Sequence, residues 1–255
     1  MSVGTESNGA RSVLPAAEEK AGVVRGMFAA IAPRYDLLNH LLSFNRDRAW
    51  RRGAVDALLA GKGAEGIYLD ACAGTIDLAC ELARRPGFRG RVIACDFVVE
   101  MLAGGGAKIG RLPVERVCGD TLCLPLRDGS VDGVTVGFGV RNLASLEGGL
   151  RELARVLRPG GRLVVLEFAT PLVQPLRALY LFYFRRLLPW VGGLVSRHQV
   201  AYRYLPASVL AFPEPAELTR LLQTAGFESV RWHTYTGGIV AVHVAERAQG
   251  TATES

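Results

Sequence analysis

Short apolar runs alternate with helical patterns through the middle of this 255-residue chain. Each run is apolar nearly throughout, which is typical of strands that are covered on both faces. The four strands predicted in this way cover residues 67–70, 91–96, 131–136 and 162–168. Between them, apolar residues at three- and four-residue spacing predict helices over 78–85, 99–109 and 146–157. This alternation indicates an α/β, doubly wound fold with a mostly parallel sheet.

The C-terminal part carries a different pattern. After a predicted helix over 217–225, two further strand-like runs at 229–235 and 238–245 meet at a Gly-Gly pair, which favours a hairpin. Another short strand is predicted to end at Asp120. The expected architecture is therefore a seven-stranded, mostly parallel sheet with an antiparallel edge hairpin.

The predicted elements fit a single domain over residues 23–246. We expect N-terminal helices over about 25–60 and a helical insertion over about 170–213, before the last helix. The first 22 residues are small and polar where a signal peptide would need an apolar run. Residues 1–22 are therefore expected to be a disordered leader, and 247–255 a disordered tail.

Composition narrows the class of protein. Hydrophobic residues make up 49% of the chain, which is enough for a packed core and argues against a disordered or fibrous protein. The net charge of +6 comes almost entirely from arginine, and nothing else indicates nucleic-acid binding. Five cysteines without a Cys-x-x-Cys motif predict neither a disulfide framework nor a metal site. The simplest compartment is a reducing cytoplasm.

The most apolar window lies at 176–195. Arg185 and Arg186 interrupt it near the middle, whereas a membrane-spanning helix needs about 20 mostly uncharged residues. We therefore expect no helix that crosses a membrane.

A tight turn between the first strand and the next helix is the first candidate binding loop. The strand ends at Asp70, and the loop that follows contains a single glycine, Gly74, before Asp77. A dinucleotide loop would need several glycines to bring backbone to a pyrophosphate, and Asp77 would repel phosphate. The loop therefore argues against NAD or ATP.

A cofactor with a positive end and no phosphate suits this loop better. S-adenosylmethionine carries an ammonium and a sulfonium, which the carboxylates of this loop would attract. We therefore expect Asp70, Gly74 and Asp77 to contact the cofactor. Asp96, at the end of the second strand, is placed to accept hydrogen bonds from ribose hydroxyls, and Asp120 from an adenine amino group. The alternative is that these aspartates are ordinary helix caps and turn residues.

Several longer motifs resemble one family, the ubiquinone/menaquinone biosynthesis C-methyltransferases, which are class I S-adenosylmethionine-dependent methyltransferases. The resemblance extends over about residues 27–246. It rests on the segments YDLLNHLLS from Tyr35, FGVRN from Phe138, RVLRPGG from Arg155, YRYL from Tyr202 and TGGIVAVH from Thr236.

This resemblance implies transfer of a methyl group to a ring carbon of a polyprenyl quinol, most simply demethylmenaquinol to menaquinol. A ubiquinone-pathway benzoquinol or another lipophilic phenol remains an alternative acceptor, and a non-catalytic scaffold subunit with a decayed cofactor site is a more distant one. By position, the resemblance implies cofactor contacts for four residues, Thr75, Asp96, Asp120 and Thr121.

Three departures from the family pattern affect these expectations. Ile76 occupies a position usually held by glycine, and a left-handed backbone there would cost a β-branched residue about 1–2 kcal/mol. Gly137 replaces a serine and removes one expected hydroxyl contact to the cofactor. Asp47 replaces a histidine of the first signature.

We expect Arg141, Asn142 and Tyr35 to form the catalytic group. The fixed positive charge of Arg141 could stabilise a phenolate as the ring carbon becomes nucleophilic, but its guanidinium cannot readily act as a base. The alternative for Arg141 is a surface salt bridge to Glu147 or Glu152.

The sequence leaves the identity of the general base open. Water, Tyr35, His198 and His243 are all candidates.

The insertion combines aromatic, apolar and basic residues, and no acidic residue occurs from Phe168 to Pro213. We expect Phe184, Tyr202 and Tyr204 to contact the substrate, with the aromatic side chains lining a channel for its tail. The arginines suit an anionic membrane surface, so that we expect peripheral association with the inner face of the cytoplasmic membrane. A lid helix that packs on the core is an alternative. The oligomeric state, a homodimer among the options, stays open.

Overall fold

The computed structural model describes residues 14–183, 186 and 199–249. Within this part of the chain the strands are β1 (Ile67–Ala71), β2 (Arg91–Asp96), β3 (Val114–Cys118), β4 (Val131–Gly137), β5 (Leu157–Phe168), β6 (Phe227–Tyr235) and β7 (Val240–Arg247). They form one sheet in the order β3-β2-β1-β4-β5-β7-β6. The first five strands pair in parallel, whereas β7 is antiparallel to both β5 and β6. The predicted α/β fold with an antiparallel edge hairpin is confirmed.

The helices of the described residues flank this sheet. They are α1 (Ala17–Ile31), α2 (Tyr35–Leu42), α3 (Asp47–Leu59), α4 (Asp77–Ala83), α5 (Val99–Ile109), α6 (Leu146–Val156), α7 (Leu176–Phe182), α8 (Gln199–Ala211) and α9 (Pro215–Thr224). Helices α7 and α8 belong to the predicted insertion. None of the described helices combines the length and the apolar character needed to cross a bilayer.

Apolar layers cover both faces of the sheet. Along β5, Leu163 and Val165 pack with residues of α6 and α9, whereas Val164 and Leu166 pack with residues of α3 and α4. Because neither face meets water, the central strands are apolar at successive positions rather than at alternate ones.

The N-terminal boundary differs from the prediction. Helix α1 begins at Ala17, inside the segment expected to be a disordered leader over 1–22. Its residues Ala21, Val24 and Phe28 lie against the carboxyl edge of the sheet, where they line a cleft described below. The helix thus starts before the predicted boundary at residue 22, because packing against this edge stabilises a segment of weak hydrophobic pattern.

Candidate active site

The carboxyl ends of the parallel strands lie along one edge of the sheet, where doubly wound folds bind ligands. The strand order reverses between β1 and β4, which are neighbours in the sheet but not in the chain. The loops that follow β1, β2, β3 and β4 surround a narrow cleft of about 50 Å³. Four of the seven predicted cofactor residues line it, namely Gly74, Asp96, Asp120 and Thr121.

Asp96 is the best-anchored carboxylate of this cleft. Its Oδ2 accepts a hydrogen bond from Gly74 N at 2.8 Å, and its Oδ1 accepts one from Val98 N at 2.8 Å. Burial raises the pKa of Asp96, while these backbone donors act in the opposite direction. Because a carboxylate has about four acceptor positions, the fixed side chain can still accept hydrogen bonds from a ligand.

The cleft is acidic. Asp96 and Asp120 line it, and no lysine or arginine is among its described lining residues. Asp120 accepts a hydrogen bond from Leu122 N at 2.9 Å, and the Thr121 hydroxyl lies 3.3 Å from Cys72 Sγ. This charge pattern fits the cationic end of S-adenosylmethionine and disfavours a phosphorylated nucleotide.

Asp70 is not among the residues that line this cleft. Its Oδ2 accepts from Ala79 N at 2.9 Å and its Oδ1 from the Thr135 hydroxyl at 3.0 Å. Burial raises the pKa of Asp70 to about 7. The side chain turns into the protein, where it ties β1 to α4 and β4.

Thr75 and Asp77 are likewise not among the residues that line the cleft, and their side chains meet other polar groups. The Thr75 hydroxyl donates to Asp36 Oδ1, and Lys108 Nζ lies 2.6 Å from both Asp77 Oδ1 and Asp36 Oδ2. Asp77 Oδ2 lies 3.4 Å from Arg51. These ion pairs join α2, α3, α4 and α5 behind the loop and neutralise the charge of Asp77.

Ile76 adopts the left-handed conformation, with φ 59° and ψ 24°. Its side chain is fully buried. The loop therefore keeps the left-handed backbone that usually requires glycine, although the residue is β-branched.

A second and much larger cavity, of about 630 Å³, lies beside the cleft. Most of its wall is apolar or aromatic, with side chains from α1, α2, α7 and α8. Representative lining residues are Leu38, Trp50, Phe168, Tyr180 and Tyr204. Such a cavity suits a large apolar ligand.

Arg141 is a buried cation of this second cavity. Its Nη1 donates to the Phe138 carbonyl and to Glu167 Oε1, the latter at 2.7 Å, and its guanidinium lies 5.4 Å from the centre of the Phe168 ring. The partner is thus Glu167, at the end of β5, and neither Glu147 nor Glu152. Burial raises the pKa of Glu167, and Arg141 opposes that shift.

Three aromatic residues separate the two spaces. Phe28, Tyr35 and Phe138 line both the acidic cleft and the apolar cavity. Tyr35 therefore lies where a cofactor and an acceptor would meet. Burial raises the pKa of Tyr35, which makes its phenolate a scarce species near neutral pH.

Asn142 and Tyr204 link the two spaces through a hydrogen bond. The Tyr204 hydroxyl donates to Asn142 Oδ1 at 3.2 Å; Asn142 lines the cleft and Tyr204 lines the cavity. Phe184 and the side chain of Tyr202, the other two predicted substrate contacts, lie outside the described residues, as does His198.

His243 lies away from both spaces. It is buried in β7, and its Nε2 is 2.9 Å from the carbonyl oxygen of Pro215, at the start of α9. Burial lowers the pKa of His243. This position removes His243 from the candidates for the general base.

Comparison with known proteins decides the family. A family model described as "ubiE/COQ5 methyltransferase family" matches residues 15–247 of this chain. The chain belongs to the ubiE/COQ5 methyltransferase family. A demethylmenaquinone methyltransferase of Thermus thermophilus is 50% identical over 224 residues, which cover 87% of this chain and 100% of that protein.

Other relatives and the fold agree with this assignment. A ubiquinone/menaquinone biosynthesis C-methyltransferase UbiE of Geotalea uraniireducens is 41% identical, with 90% of this chain and 98% of that protein covered. A S-adenosylmethionine-dependent methyltransferase of Thermotoga maritima has the same fold, with a TM-score of 0.61 at 20% identity over 87% of this chain and 98% of that one.

Some site residues of this ubiE/COQ5 family member were missed in the sequence. Lys20, on α1, donates to the carbonyl oxygens of Arg141 at 3.0 Å and Leu143 at 2.7 Å, and so ties α1 to the edge of the cleft. Burial lowers the pKa of Lys20, and the charge of Arg141 lowers it further. The rarity of lysine in this chain was the one signal that could have indicated Lys20.

Asp47, which replaces the family's histidine, is part of a hydrogen-bonded group at the cavity wall. It accepts from His40 Nδ1 at 2.8 Å and the Ser43 hydroxyl at 2.7 Å, and it pairs with Arg51. Burial alone would raise the pKa of Asp47, but Arg51 and the other donors hold it below its usual value. A histidine is still present in this group, at position 40.

Proposed function

We propose that this protein transfers the methyl group of S-adenosylmethionine to a ring carbon of a polyprenyl quinol. The observation that carries the proposal is the shared aromatic wall between an acidic cleft and a 630 Å³ apolar cavity. The cleft suits a cationic methyl donor, and the cavity suits a quinol ring with an apolar tail. Their contact at Tyr35 and Phe138 would bring donor and acceptor together.

Demethylmenaquinol is the favoured acceptor. The relative from Thermus thermophilus, at 50% identity, is named for demethylmenaquinone, whereas a UbiE relative at 41% identity is named for both quinone pathways. A benzoquinol of the ubiquinone pathway is the second candidate.

The residues of the cleft would hold the cofactor. Asp96 and Asp120 are the acceptors for its hydroxyl and amino groups, and Thr121 and Asn142 lie beside them. When bound, S-adenosylmethionine supplies an electrophilic methyl group. The protein's task is then to orient the acceptor carbon and exclude water, which can contribute several kcal/mol through proximity.

Arg141 would make the ring carbon nucleophilic by favouring the phenolate form of the quinol. The guanidinium lies in a largely apolar cavity, where a positive charge interacts strongly with a developing oxyanion. Its ion pair with Glu167 fixes Nη1 and leaves the rest of the guanidinium without a hydrogen bond to any described residue.

The general base is then water or His198. Tyr35 is a poor base because its pKa is raised, and His243 lies elsewhere. The location that fits a lipid-tailed acceptor is the cytoplasmic face of the membrane, with peripheral attachment. The support is the segment from Phe168 to Pro213, which contains arginines and no acidic residue.

The test is to incubate purified protein with methyl-labelled S-adenosylmethionine and reduced demethylmenaquinone, and to locate the label. We expect the label on a ring carbon. Label on a ring oxygen would contradict the favoured assignment. So would transfer to a benzoquinol without any transfer to demethylmenaquinol. No heat of S-adenosylmethionine binding in calorimetry would instead favour a scaffold with a decayed site.

Replacing Asp96 provides the first control. Asp96→Ala removes a buried hydrogen-bonding carboxylate and should weaken S-adenosylmethionine binding by roughly 1–3 kcal/mol. Calorimetry measures this directly. Unchanged affinity would show that the cofactor binds outside the acidic cleft.

A further inference from the structure

Large apolar side chains that the fold leaves in solvent are concentrated at the mouth of the 630 Å³ cavity. Seven of them, each 50–79% exposed, come from α2, the turn after it, and the segment around α7. We call them the mouth surface: Leu37, Leu41, Phe44, Leu172, Val173, Leu179 and Phe182.

The mouth surface is continuous with the cavity. Phe44, Leu179 and Phe182 are highly exposed and yet line the cavity. The Tyr183 hydroxyl donates to the Leu42 carbonyl at 3.0 Å, which joins the end of α2 to the end of α7. Three of the seven exposed apolar residues therefore lie at the opening of the cavity, and the other four belong to the same two segments of the chain.

Both helices carry an apolar face that the core does not use. On α2, Leu38 and Leu42 face the cavity, whereas Leu37 and Leu41 face solvent. On α7, Tyr180 is buried, whereas Leu179 is exposed. A helix that is apolar on two sides normally buries both, and a clustered exposed apolar patch marks an interaction site.

The charges around the opening match one kind of partner. No acidic residue occurs from Leu37 to Arg46 or from Phe168 to Pro213. Arg46, which lines the cavity, and Arg186 are exposed, and neither is ion-paired with a described residue. Apolar side chains with unpaired arginines nearby suit an anionic bilayer surface, where the former enter the acyl boundary and the latter meet headgroups.

We propose that the mouth surface docks on an anionic lipid bilayer, so that a tailed acceptor enters the cavity directly from the membrane. This proposal rests on the proposed function for the identity of the acceptor. The proposal that the mouth surface docks on a bilayer rests on the exposure, position and charge of that surface. These properties do not depend on which reaction the protein catalyses.

The test uses mouth residues that do not line the cavity. Leu37→Glu/Leu41→Glu and Leu172→Glu/Val173→Glu change only exposed side chains, so that both variants should fold. Val23→Glu/Val99→Glu is the matched control, with two exposed valines outside the mouth surface. Flotation with phosphatidylcholine vesicles, with and without phosphatidylglycerol, measures binding in the absence of any acceptor.

We expect wild type and the control to float with the anionic vesicles. Each mouth variant should bind these vesicles at least about tenfold more weakly than wild type. Equal flotation of all four proteins would overturn the proposal. The proposal would also be overturned if wild type sediments as a dimer and the mouth variants sediment as monomers, since the mouth surface would then bind a second copy of the chain.

An activity measurement separates this proposal from the proposed function. The mouth variants should methylate a tail-free demethylnaphthoquinol in solution as wild type does, and lose activity toward a long-tailed acceptor in vesicles. If wild type methylates neither acceptor, the proposed function fails, while flotation still decides the docking surface. Equal activity of wild type and mouth variants on the vesicle acceptor would contradict direct entry from the membrane.

Discussion

Ile76 shows how a single residue can combine an unfavourable backbone with a favourable side chain. Its left-handed backbone costs about 1–2 kcal/mol, whereas full burial of an isoleucine side chain contributes about 1.5–3 kcal/mol. Gly105 on α5 provides the space, because a Cβ at that position would lie 2.5 Å from Cγ1 of Ile76. The sequence predicted the conflict at Ile76 but not this compensation, which depends on a helix that comes later in the chain.

Gly137 offers a gain-of-function test at the same scale. It lines the cleft, and a Cβ there would lie 3.3 Å from Leu78 Cδ2, a methyl group that can shift. Gly137→Ser should restore the hydroxyl of the family pattern and tighten S-adenosylmethionine binding by about 0.5–1.5 kcal/mol in calorimetry. Gly137→Ala is the control and should bring no gain. Equal affinities of the Ser and Ala variants would mean that the hydroxyl meets no cofactor atom.

Arg141 is the residue for which turnover and cofactor binding should separate. Arg141→Ala should lower kcat about 100-fold, since the oxyanion loses its charge partner, and change the Kd for S-adenosylmethionine by less than about twofold. The variant should also melt earlier, because Glu167 then lacks a counter-charge. Single-turnover kinetics and calorimetry measure the two parameters. Arg141→Lys, which keeps the charge, is the control, and a parallel fall in both parameters would indicate a structural role.

At the scale of elements, the pattern of apolar residues predicts the parallel strands, but it predicts less well where each strand or helix begins and ends. Strands covered on both faces are apolar throughout, and this signal located β1, β2 and β4 to within a residue or two. Strand β5 begins at Leu157, five residues before the predicted start at Arg162, because Pro159 and two glycines indicated a turn. Helix α1 begins at Ala17, before the predicted start of the N-terminal helices at about residue 25, because contacts with the sheet edge, and not its own pattern, hold its first turns.

Asp70 connects three elements and should give the protein a distinct pH dependence. Its pKa of about 7 in the folded state exceeds the value of about 3.9 in an unfolded chain. The folded protein therefore binds the extra proton between about pH 4 and 7, and loses up to about 4 kcal/mol of stability as pH rises through this range.

Asp70→Asn keeps a hydrogen-bonding group and removes the titration. Urea unfolding of the Asn variant should show a weaker fall in stability between about pH 4 and pH 7 than that of wild type. Identical pH profiles for the two proteins would contradict a raised pKa at Asp70.

At the scale of the whole molecule, the site depends on contacts that no local pattern contains. Residues at strand ends, such as Asp96 and Asp120, were predictable because the carboxyl ends of parallel strands share one edge. Asp70 and Asp77 satisfied the same rule and yet face other partners, since side-chain direction within a loop is set by tertiary packing. The ion pair of Arg141 with Glu167 joins the turn after β4 to the end of β5 and was not predictable from either motif.

Lys20 acts across a long sequence distance, 121 and 123 residues from its two acceptors. Lys20→Met keeps the aliphatic stem but loses both hydrogen bonds, so that stability should fall by about 1–2 kcal/mol and the cofactor should dissociate several-fold faster. Stopped-flow dissociation measures the rate. Lys62→Met, which removes a lysine bonded to the Gly160 carbonyl, is the matched control. Lower stability with an unchanged dissociation rate would show that Lys20 does not hold the cleft closed.

Because arginine supplies nearly all of the basic residues, the few lysines of the chain, Lys20 among them, can be followed by chemical labelling. The sequence contains three lysines, Lys20, Lys62 and Lys108. All three form hydrogen bonds or ion pairs: Lys62 also lies 3.4 Å from Glu246, and Lys108 is paired with two aspartates. An amine-reactive reagent therefore has three side-chain targets, and each of these lysines connects different elements of the fold. Acylation of Lys20, followed by mass spectrometry, would record how often the N-terminal helix lifts from the sheet, without any probe having to be introduced.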